Sequence, residues 1–455
     1  MKKVFLFWPV FIVTIVLVIF LIRPGGEERL PAAEEINNWP GGVMATEEEV
    51  SPDFTYLEII ADQKDQLIDQ KKDFIEVNLE EETVRLYRSG QIIKSFAFLV
   101  AGDADNWGGS AAGLYHVRSK NRISYSVSSG LYMPYALHYY GKYYIHGEPY
   151  YPAGRKFTAE FSGGCIGLSN QDAQDLYNEA EIGLPVLVID RSRAKHVYQN
   201  QNISDFPEIT AASYLVADLD SGQILAEFNS QEIRPIASVT KLMTATVVAE
   251  TVNLSKSITV DPSMLIAYGS VERVEPGQTL NVVELFYPLL VESSNNAGEV
   301  LSHFLGRDRT INLMNQKAAS LLMPDTYFID PHGLSPENVS TASDLFQLTR
   351  YIFYNRPPLL RISRGELVHP LSQFQLEIDQ LWNKNTFAHD PNFIGGKSGF
   401  IKLSRHTGTM LFQFVDGSGE IRNIAIIYLG SENPKSEVQR IYAWLRQNFS
   451  LDPVF

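Results

Sequence analysis

The sequence predicts a multidomain chain with an N-terminal transmembrane helix, a mainly-β domain and a second domain of the α/β (α+β) class. Three observations carry this prediction: an apolar run over Val4–Ile22, apolar–polar alternation that begins near residue 72, and a change to strands around a helical middle at Ala211. The length of 455 residues favours two or more domains, and 45% apolar with 20% charged residues is typical of globular proteins.

The N-terminal run predicts a membrane anchor, because roughly 19 apolar residues cross a hydrocarbon core of about 30 Å. Lys2 and Lys3 precede the run and an acidic segment follows it, so we expect a cytoplasmic amino terminus and an extracytoplasmic remainder, on the periplasmic or cell-wall side of the cell membrane. A cleaved signal peptide is the competing interpretation, although the run is long for one and RLPAAEE is a poor cleavage site. Residues 1–23 are the predicted anchor, and residues 24–71 an acidic stalk with a short helix around LEIIADQKDQLIDQ.

Residues 72–191 predict the mainly-β domain. Apolar and polar residues alternate along FIEVNLEEETVRLYRSG, as in a pair of half-buried strands. The apolar positions are Ile75, Val77, Leu79, Val84, Leu86 and Tyr87. DAQDLYNEAEIG is typical of a short helix and LPVLVID of a closing strand, and the polar stretch 192–210 is the predicted linker.

Residues 211–455 predict the second domain. SYLVADLDSGQILAEFN reads as a hairpin with a Ser-Gly turn. Helices are predicted at SVTKLMTATVVAE, VVELFYPLLVESSNNAGEVLSHFL, TINLMNQKAASLLM, TASDLFQLTRYIF and SEVQRIYAWLRQNF, and strands at HTGTMLFQFVD and IRNIAIIYLG. Strands on either side of a helical middle indicate an α+β or α/β layout.

Charge and motifs exclude several function classes. The net charge of −15 argues against nucleic acid as a partner. We expect no metal and no other cofactor, because no cluster of ligands accompanies the histidines. His116 and His138 are more typical of strand residues with a local hydrogen bond.

The segment SVTK places Ser238 and Lys241 three residues apart, on one face of a predicted helix. An amine held there and partly desolvated can lose its charge and accept the serine proton. The helix start also favours a developing negative charge. Alone, this spacing is weak, because an ordinary polar helix start has the same pattern.

Two further motifs follow in a specific order. VESSNNAG contains Ser293 and Asn295, and GGKSGF contains Lys397 and Ser398. Ser-x-x-Lys, Ser-x-Asn and Lys-Ser/Thr-Gly are the three motifs of penicillin-recognising serine enzymes. The flanking segments IASVTKLMTATVV, PGQTLNVVELFYPLLVESSNNAGEVL and DPHGLSPENVSTASDL resemble the low-molecular-weight D-alanyl-D-alanine carboxypeptidases, and the resemblance covers about residues 211–445.

The resemblance implies a role for each motif residue. Ser238 would be the acyl-forming nucleophile and Lys241 its general base. Ser293 would shuttle a proton, and Asn295 would bind the substrate amide.

The third motif would bind the rest of the substrate. Lys397, Ser398 and the adjoining Gly399 would meet its carboxylate, and the N–H groups of Ser238 and Phe400 would form the oxyanion hole. β-Lactams are the implied inhibitors. We find no Glu-x-x-Leu-Asn stretch between the second and third motifs, which favours a peptidase over a class A β-lactamase.

Cys165 is the only cysteine in the sequence, and it lies in FSGGCIGLSN. A single cysteine makes no internal disulfide. From the residues alone, a small buried apolar side chain and a catalytic nucleophile remain equal alternatives.

The surroundings of Cys165 resemble the L,D-transpeptidases over about residues 72–190. The resembling segments are SAAGLYHVRSK, MPYALHYYGKYYIHGEPYY and SGGCIGLSNQDAQDLYNEAEIGLPVLV. The resemblance implies that Cys165 is the acyl-accepting nucleophile and His146 its base, since a thiol needs a base or a positive field to act. The N–H groups of Gly164 and Cys165 would receive the oxyanion.

Two residues depart from that family's pattern. Its histidine two positions before the cysteine is Gly163 here, and its arginine two positions after is Gly167. A silent domain that binds wall peptide without turnover is therefore the alternative to an active one.

Together the motifs predict a membrane-anchored enzyme that modifies peptidoglycan stem peptides. The second domain would remove the terminal D-alanine of a pentapeptide, and the first would use the resulting tetrapeptide as acyl donor. A carboxypeptidase with a silent wall-binding first domain, and D,D-endopeptidase activity in the second, are the alternatives.

Overall fold

The computed structural model describes residues 56–454, apart from positions 128, 159–161, 192–195, 199–202, 269–272 and 369–373. The predicted anchor, residues 1–23, and most of the predicted stalk lie outside the described residues. Within the part of the chain that is described, no helix combines the length and apolar character needed to cross a membrane.

The first domain consists of strands with two helices. Its elements are α1 (Tyr56–Asp69), β1 (Phe74–Asn78), β2 (Thr83–Arg88), β3 (Gln91–Ala97), β4 (Gly113–His116), β5 (Ser119–Ser126), β6 (Leu131–Tyr140), β7 (Tyr143–His146), β8 (Ile166–Gly167), α2 (Asn170–Glu179) and β9 (Pro185–Ile189).

These strands form a five-stranded sheet in the order β3-β2-β1-β9-β4 and a four-stranded sheet in the order β5-β6-β7-β8. The predicted strand pair is confirmed: β1 and β2 are antiparallel, with Ile75 opposite Leu86 and Val77 opposite Val84. All four side chains are fully buried. The helix expected around residues 57–70 is α1, and the Lys64 amine of this helix pairs with the buried Glu76 carboxylate of β1 at 3.2 Å.

The second domain has a helical middle between strands. Its elements are β10 (Ser213–Asp218), β11 (Ile224–Phe228), β12 (Arg234–Pro235), α3 (Thr240–Thr251), β13 (Ser257–Thr259), β14 (Thr279–Asn281), α4 (Val282–Leu290), α5 (Asn295–His303), α6 (Arg307–Ser320), β15 (Val339–Ser340), α7 (Ala342–Asn355), α8 (Pro357–Arg364), β16 (Phe393–Ile401), β17 (Arg405–Val415), β18 (Ile421–Ser431), α9 (Pro434–Phe449) and β19 (Asp452–Pro453).

One antiparallel sheet, in the order β11-β10-β18-β17-β16 with β19 against β17, organises this domain. Successive side chains of a strand point to opposite faces, so each strand serves two cores. Val216 and Ile426 face α9 with its Leu445, whereas Leu215 and Ile427 belong to the core formed with α3, α4 and α7.

The helix predicted over residues 282–305 is wrong as one element. It is divided into α4, which ends at Leu290, and α5, which begins at Asn295. Two local features explain the division: Pro288 lacks an N–H group for the helix ladder, and the Ser294 side chain accepts the Ala297 N–H as a new N-cap. The connection holds Ser293 in a left-handed conformation with φ 61°.

The two domains share one buried core. Ala112 and Leu187 of the first domain belong to the same apolar cluster as Ala249 and Leu321 of the second. Trp107 also stacks on Phe286 across the junction, with ring centroids 5.8 Å apart. The positions of the two domains are therefore fixed by packing.

Leu445→Ala tests the packing of α9 on the sheet. Leu445 is fully buried, so we expect this truncation to lower the free energy of unfolding by about 2–5 kcal/mol, as removal of a core leucine usually does. Urea denaturation followed by tryptophan fluorescence measures the change. The neighbouring Arg446→Ala is the control, because that side chain is exposed, and equal midpoints for both variants would contradict the packing.

Candidate active sites

The serine centre lies where a strand leads into helix α3. Ser238 is in a short 3₁₀ turn, Ala237–Val239, and Lys241 follows in the first turn of α3. The three-residue spacing brings the Lys241 Nζ atom to 2.9 Å from the Ser238 Oγ atom. The predicted nucleophile and base therefore meet.

The environment of Lys241 favours its neutral form. Burial, with the positive charges of Lys397 and Lys384, holds the pKa of Lys241 well below its usual range, against the opposing effect of Asp330. The Nζ atom donates to the Asn295 side-chain oxygen (2.8 Å) and to the main-chain oxygen of His332 (2.6 Å). A neutral amine has two protons and one lone pair, so these two bonds leave the lone pair for the Ser238 hydroxyl proton.

The second motif reaches the same site from the loop between α4 and α5. Ser293 holds its positive φ there, and Asn295 is the first residue of α5. The Asn295 side chain is held at both ends, because its oxygen accepts from Lys241 and its nitrogen donates to the Tyr268 main-chain oxygen at 2.7 Å. Binding of a substrate amide by Asn295 would therefore exchange one of these bonds.

The third motif lies on strand β16. Lys397 is fully buried, and burial, aided by Lys384, lowers the pKa of its amine to about 7. Its Nζ atom donates to the Ser398 main-chain oxygen (2.7 Å) and to the Asn385 side-chain oxygen (3.3 Å). Sequence reasoning missed Asn385, because it lies in an irregular segment with no motif of its own.

Strand β16 passes directly against the nucleophile turn at Gly399. A Cβ atom added there would lie 2.6 Å from the Ser238 main-chain nitrogen and 2.8 Å from Thr407 Oγ1. Thr407 lies opposite Gly399 on β17, and its hydroxyl donates to the Ile236 main-chain oxygen at 2.8 Å. Only glycine allows the strand and the turn to approach this closely. The neighbouring Phe400 side chain is exposed.

A buried polar network supports the serine centre from behind. His332, whose carbonyl holds Lys241, contacts Glu299 Oε1 (3.0 Å) and Asp330 Oδ1 (3.1 Å) through its ring nitrogens. Burial lowers the pKa of His332, but the two carboxylates outweigh it and raise the pKa above its usual value. Asp330 and His332 lie in the segment DPHGLSPENVSTASDL, but the spacing of these two residues in the sequence did not predict a role for either.

The cysteine centre is formed by two parallel strands. His146 ends β7 and lies opposite Gly167 of β8, and Cys165 immediately precedes β8. The ring Nδ1 atom of His146 donates to the Gly147 main-chain oxygen at 2.6 Å. A carbonyl only accepts, so this bond fixes the proton on Nδ1 and leaves the lone pair of a neutral ring on Nε2. Burial lowers the pKa of His146, although the Gly147 carbonyl opposes this shift.

The thiol of Cys165 is half-buried, and its Sγ atom donates to the Lys142 main-chain oxygen at 3.6 Å. Burial raises the pKa of the thiol to about 11, against the opposing effects of the Tyr144 backbone and the Lys142 charge. The group is therefore a protonated thiol at neutral pH. It becomes a nucleophile only when a base removes the proton.

The glycines around Cys165 have different surroundings. Gly164 has φ 106°, and an added Cβ would lie 2.2 Å from Tyr143 Cε1, so this position requires glycine. Its N–H donates to the Ser162 hydroxyl at 3.1 Å, and an oxyanion would have to replace that bond. At Gly167, an added Cβ would lie 2.5 Å from Val100 Cγ1, whereas at Gly163 no described atom lies within 4 Å. The family's arginine therefore has no room here, while its histidine would fit.

Two family models match the chain. One, described as D-alanyl-D-alanine carboxypeptidase (Peptidase_S11), matches residues 200–414, and the other, described as L,D-transpeptidase catalytic domain (YkuD), matches residues 72–188. Both lie within the corresponding resemblances found in the sequence or extend them by a few residues.

Relatives match the second domain. A D-alanyl-D-alanine carboxypeptidase of Mycobacterium tuberculosis is 32% identical over 211 residues, which cover 44% of this chain and 70% of that protein. A D-alanyl-D-alanine endopeptidase of Haemophilus influenzae is 35% identical over 203 residues, 43% of this chain and 68% of that protein. A crystal structure of a D-alanyl-D-alanine carboxypeptidase from Mycobacterium tuberculosis H37Rv has a TM-score of 0.47 and 29% identity, covering 54% of this chain and 94% of its own. The chain belongs to the D-alanyl-D-alanine carboxypeptidase family and carries an L,D-transpeptidase catalytic domain ahead of that region.

Proposed function

We propose that this protein is a membrane-anchored peptidoglycan enzyme with two successive activities. Ser238 removes the terminal D-alanine of a stem pentapeptide, and Cys165 uses the resulting tetrapeptide as acyl donor. The carrying observation is the buried Lys241 amine, whose pKa is lowered and whose Nζ atom lies 2.9 Å from Ser238 Oγ. The anchor part of the proposal comes from the apolar run Val4–Ile22 and its flanking charges.

The serine step follows from the geometry of the centre. Lys241 takes the hydroxyl proton as Ser238 Oγ attacks the carbonyl carbon of the penultimate D-alanine. The N–H groups of Ser238 and Phe400 receive the negative oxygen, and Ser293 passes a proton to the amine of the leaving D-alanine. Water then hydrolyses the ester and regenerates Ser238. Lys397 and Ser398 hold the substrate carboxylate.

The cysteine step would use the neutral His146 ring as base. Nε2 takes the thiol proton, Cys165 Sγ attacks the carbonyl carbon before the remaining terminal D-alanine, and that D-alanine leaves as an amine. An acceptor amine on another stem then takes the acyl group and frees the thiol. The product of Ser238 is thus the substrate of Cys165, and two sites on one chain raise the local concentration of the shared peptide.

Two alternatives rest on specific observations. The protonated thiol and the occupied space beside Gly167 favour a silent, wall-binding first domain. The relative of Haemophilus influenzae named as an endopeptidase favours cleavage of D,D-crosslinks by Ser238.

The products separate these possibilities. Full-length protein in detergent, given disaccharide-pentapeptide, should release one D-alanine and then form a dimer detected by mass spectrometry. Ser238→Ala should abolish both products, and Cys165→Ala only the dimer. Tetrapeptide without dimer in the wild type would leave the first domain silent. If Ser238→Ala formed no dimer even when tetrapeptide is supplied, the coupling between the two activities would be contradicted. Cleavage of an added D,D-crosslinked dimer would identify endopeptidase activity.

The pH dependence of the serine step should be bell-shaped. On the rising limb, kcat/KM should increase with pH as Lys241 loses its proton. Burial lowers the pKa of Lys397 to about 7. On the falling limb, kcat/KM should therefore decrease above about pH 7, because Lys397 loses the charge that binds the substrate carboxylate. Lys397→Arg should retain its charge and move the falling limb upward by more than one pH unit. D-alanine release in the Cys165→Ala background measures both profiles, and coincident falling limbs would exclude Lys397 as the titrating group.

Gly399→Ala tests the contact between β16 and the nucleophile turn. The new methyl group would lie 2.6 Å from the Ser238 nitrogen, so we expect acylation by a fluorescent penicillin to fall about a hundredfold or more, as loss of an oxyanion donor does. Gly163→Ala is the matched control, because no atom of the described residues lies within 4 Å of its added methyl group. Unchanged acylation of Gly399→Ala would show that the turn does not need this close approach.

A further inference from the structure

A cluster of buried charges lies where the two domains meet. Glu250, at the end of α3, pairs with Arg356 at 2.8 Å and with Lys317 at 3.1 Å, and all three side chains are fully buried. The Tyr351 hydroxyl also donates to Glu250. Burying charged groups costs more than a simple pair returns unless further hydrogen bonds satisfy them, so the remaining contacts of Arg356 are informative.

Arg356 belongs to the second domain, but its guanidinium donates into the first. One nitrogen donates to the Gly109 main-chain oxygen (2.8 Å) and the other to the Tyr143 hydroxyl (2.5 Å). The flat guanidinium fork can hold two acceptors at a fixed angle, which a lysine amine cannot do.

Both of those acceptors contact Gly164, the residue before Cys165. From the position of an added Cβ on Gly164, the Tyr143 ring atom Cε1 is 2.2 Å away and the Gly109 oxygen is 2.9 Å away. Gly164 is therefore packed against the two groups that Arg356 holds. The following residue is held as well, because the Ser162 hydroxyl donates to the Cys165 main-chain oxygen at 2.6 Å.

A second connection runs from the same end of α3 to the thiol. The Lys142 amine donates to the Ala249 main-chain oxygen at 3.0 Å, and the Lys142 main-chain oxygen accepts the Cys165 thiol. Helix α3 thus carries the base of the serine centre in its first turn. About 14 Å further along, at 1.5 Å per residue, it carries the groups that hold the cysteine centre.

We propose that Arg356 is a positioning residue of the cysteine centre, supplied by the carboxypeptidase domain. By holding Tyr143 and Gly109 it fixes the backbone of Gly164 and so presents Cys165 to the acyl donor. The family's arginine would stand at position 167, where an added Cβ atom would lie 2.5 Å from Val100 Cγ1, and Arg356 instead supplies a guanidinium to the groups that contact Gly164. This inference rests on the proposed nucleophilic role of Cys165.

Arg356→Lys in full-length protein is the first test. In the Ser238→Ala background, intact-mass spectrometry follows acylation of Cys165 by meropenem. Arg356→Lys should slow this acylation by between about tenfold and a hundredfold, because a small displacement of the reacting groups lowers the rate by that factor. Alkylation by iodoacetamide needs no oxyanion site and should change by less than about twofold. With Ser238 restored, labelling of Ser238 by a fluorescent penicillin should also change less than about twofold, although Arg356 lies in the serine domain.

Arg422→Lys is the matched control, since Arg422 pairs with Asp416 in the same domain and outside the cluster. Tyr143→Phe is the second variant: it removes the hydroxyl that accepts from Arg356 but keeps the ring against Gly164. It should slow meropenem acylation less than Arg356→Lys, and the double variant should be no slower than Arg356→Lys alone, because the two changes interrupt one connection.

Three results would overturn the proposal. Arg356→Lys could leave meropenem acylation of Cys165 unchanged, or it could reduce penicillin labelling of Ser238 as much as it reduces that acylation. The effects of Arg356→Lys and Tyr143→Phe could also add in the double variant. If Cys165 of the Ser238→Ala protein takes no meropenem, the proposed transpeptidase function fails instead. Hydrogen–deuterium exchange then decides the positioning. The amides of Gly164 and Cys165 should exchange faster in Arg356→Lys than in Arg422→Lys, and equal exchange would overturn it.

Discussion

Both candidate centres depend on charged groups that helix α3 holds out of water. Near its start the Lys241 amine is buried beside other cations, and both effects lower its pKa. Near its end the Glu250 carboxylate is buried between Arg356 and Lys317, and there the charge is kept because its partners are equally buried. At the start of α3, burial lowers the pKa of the Lys241 amine, and at its end, ion pairs offset the burial of the Glu250 carboxylate. Both effects follow from the removal of charged groups from water.

The two nucleophiles are prepared in different ways. The hydroxyl of Ser238 already faces a lone pair 2.9 Å away, so little rearrangement precedes attack. The thiol of Cys165 is bonded to the Lys142 carbonyl, and the proposed base, His146, ends the adjoining strand β7.

Local sequence patterns predicted the parts of the fold that depend on local spacing. Alternation predicted β1 and β2, and the Ser-x-x-Lys spacing predicted the meeting of Ser238 with Lys241, because both depend on residues a few positions apart. The break between α4 and α5 was missed, although Pro288 and the capping Ser294 were visible in the sequence.

Other contacts could not be predicted, because they depend on packing between distant segments. Asn385 lies in an irregular segment and contacts Lys397 of strand β16. Arg356 meets Tyr143 across 213 positions of sequence, and the sequence patterns assign a role to neither residue. The absence of an arginine at Gly167 left a silent domain as an alternative, and the sequence could not predict that Val100 Cγ1 would lie 2.5 Å from a Cβ atom added there.

The shared charge cluster also bears on how such a protein could change over evolutionary time. Fused domains joined by a polar linker are often exchanged as modules by recombination. Here an exchanged first domain would have to supply acceptors equivalent to Tyr143 and Gly109, or leave the buried guanidinium of Arg356 without them. Each hydrogen bond lost from a charged group costs about 1.5–3 kcal/mol. The two halves are therefore expected to be inherited together, with substitutions at the junction appearing in compensating pairs.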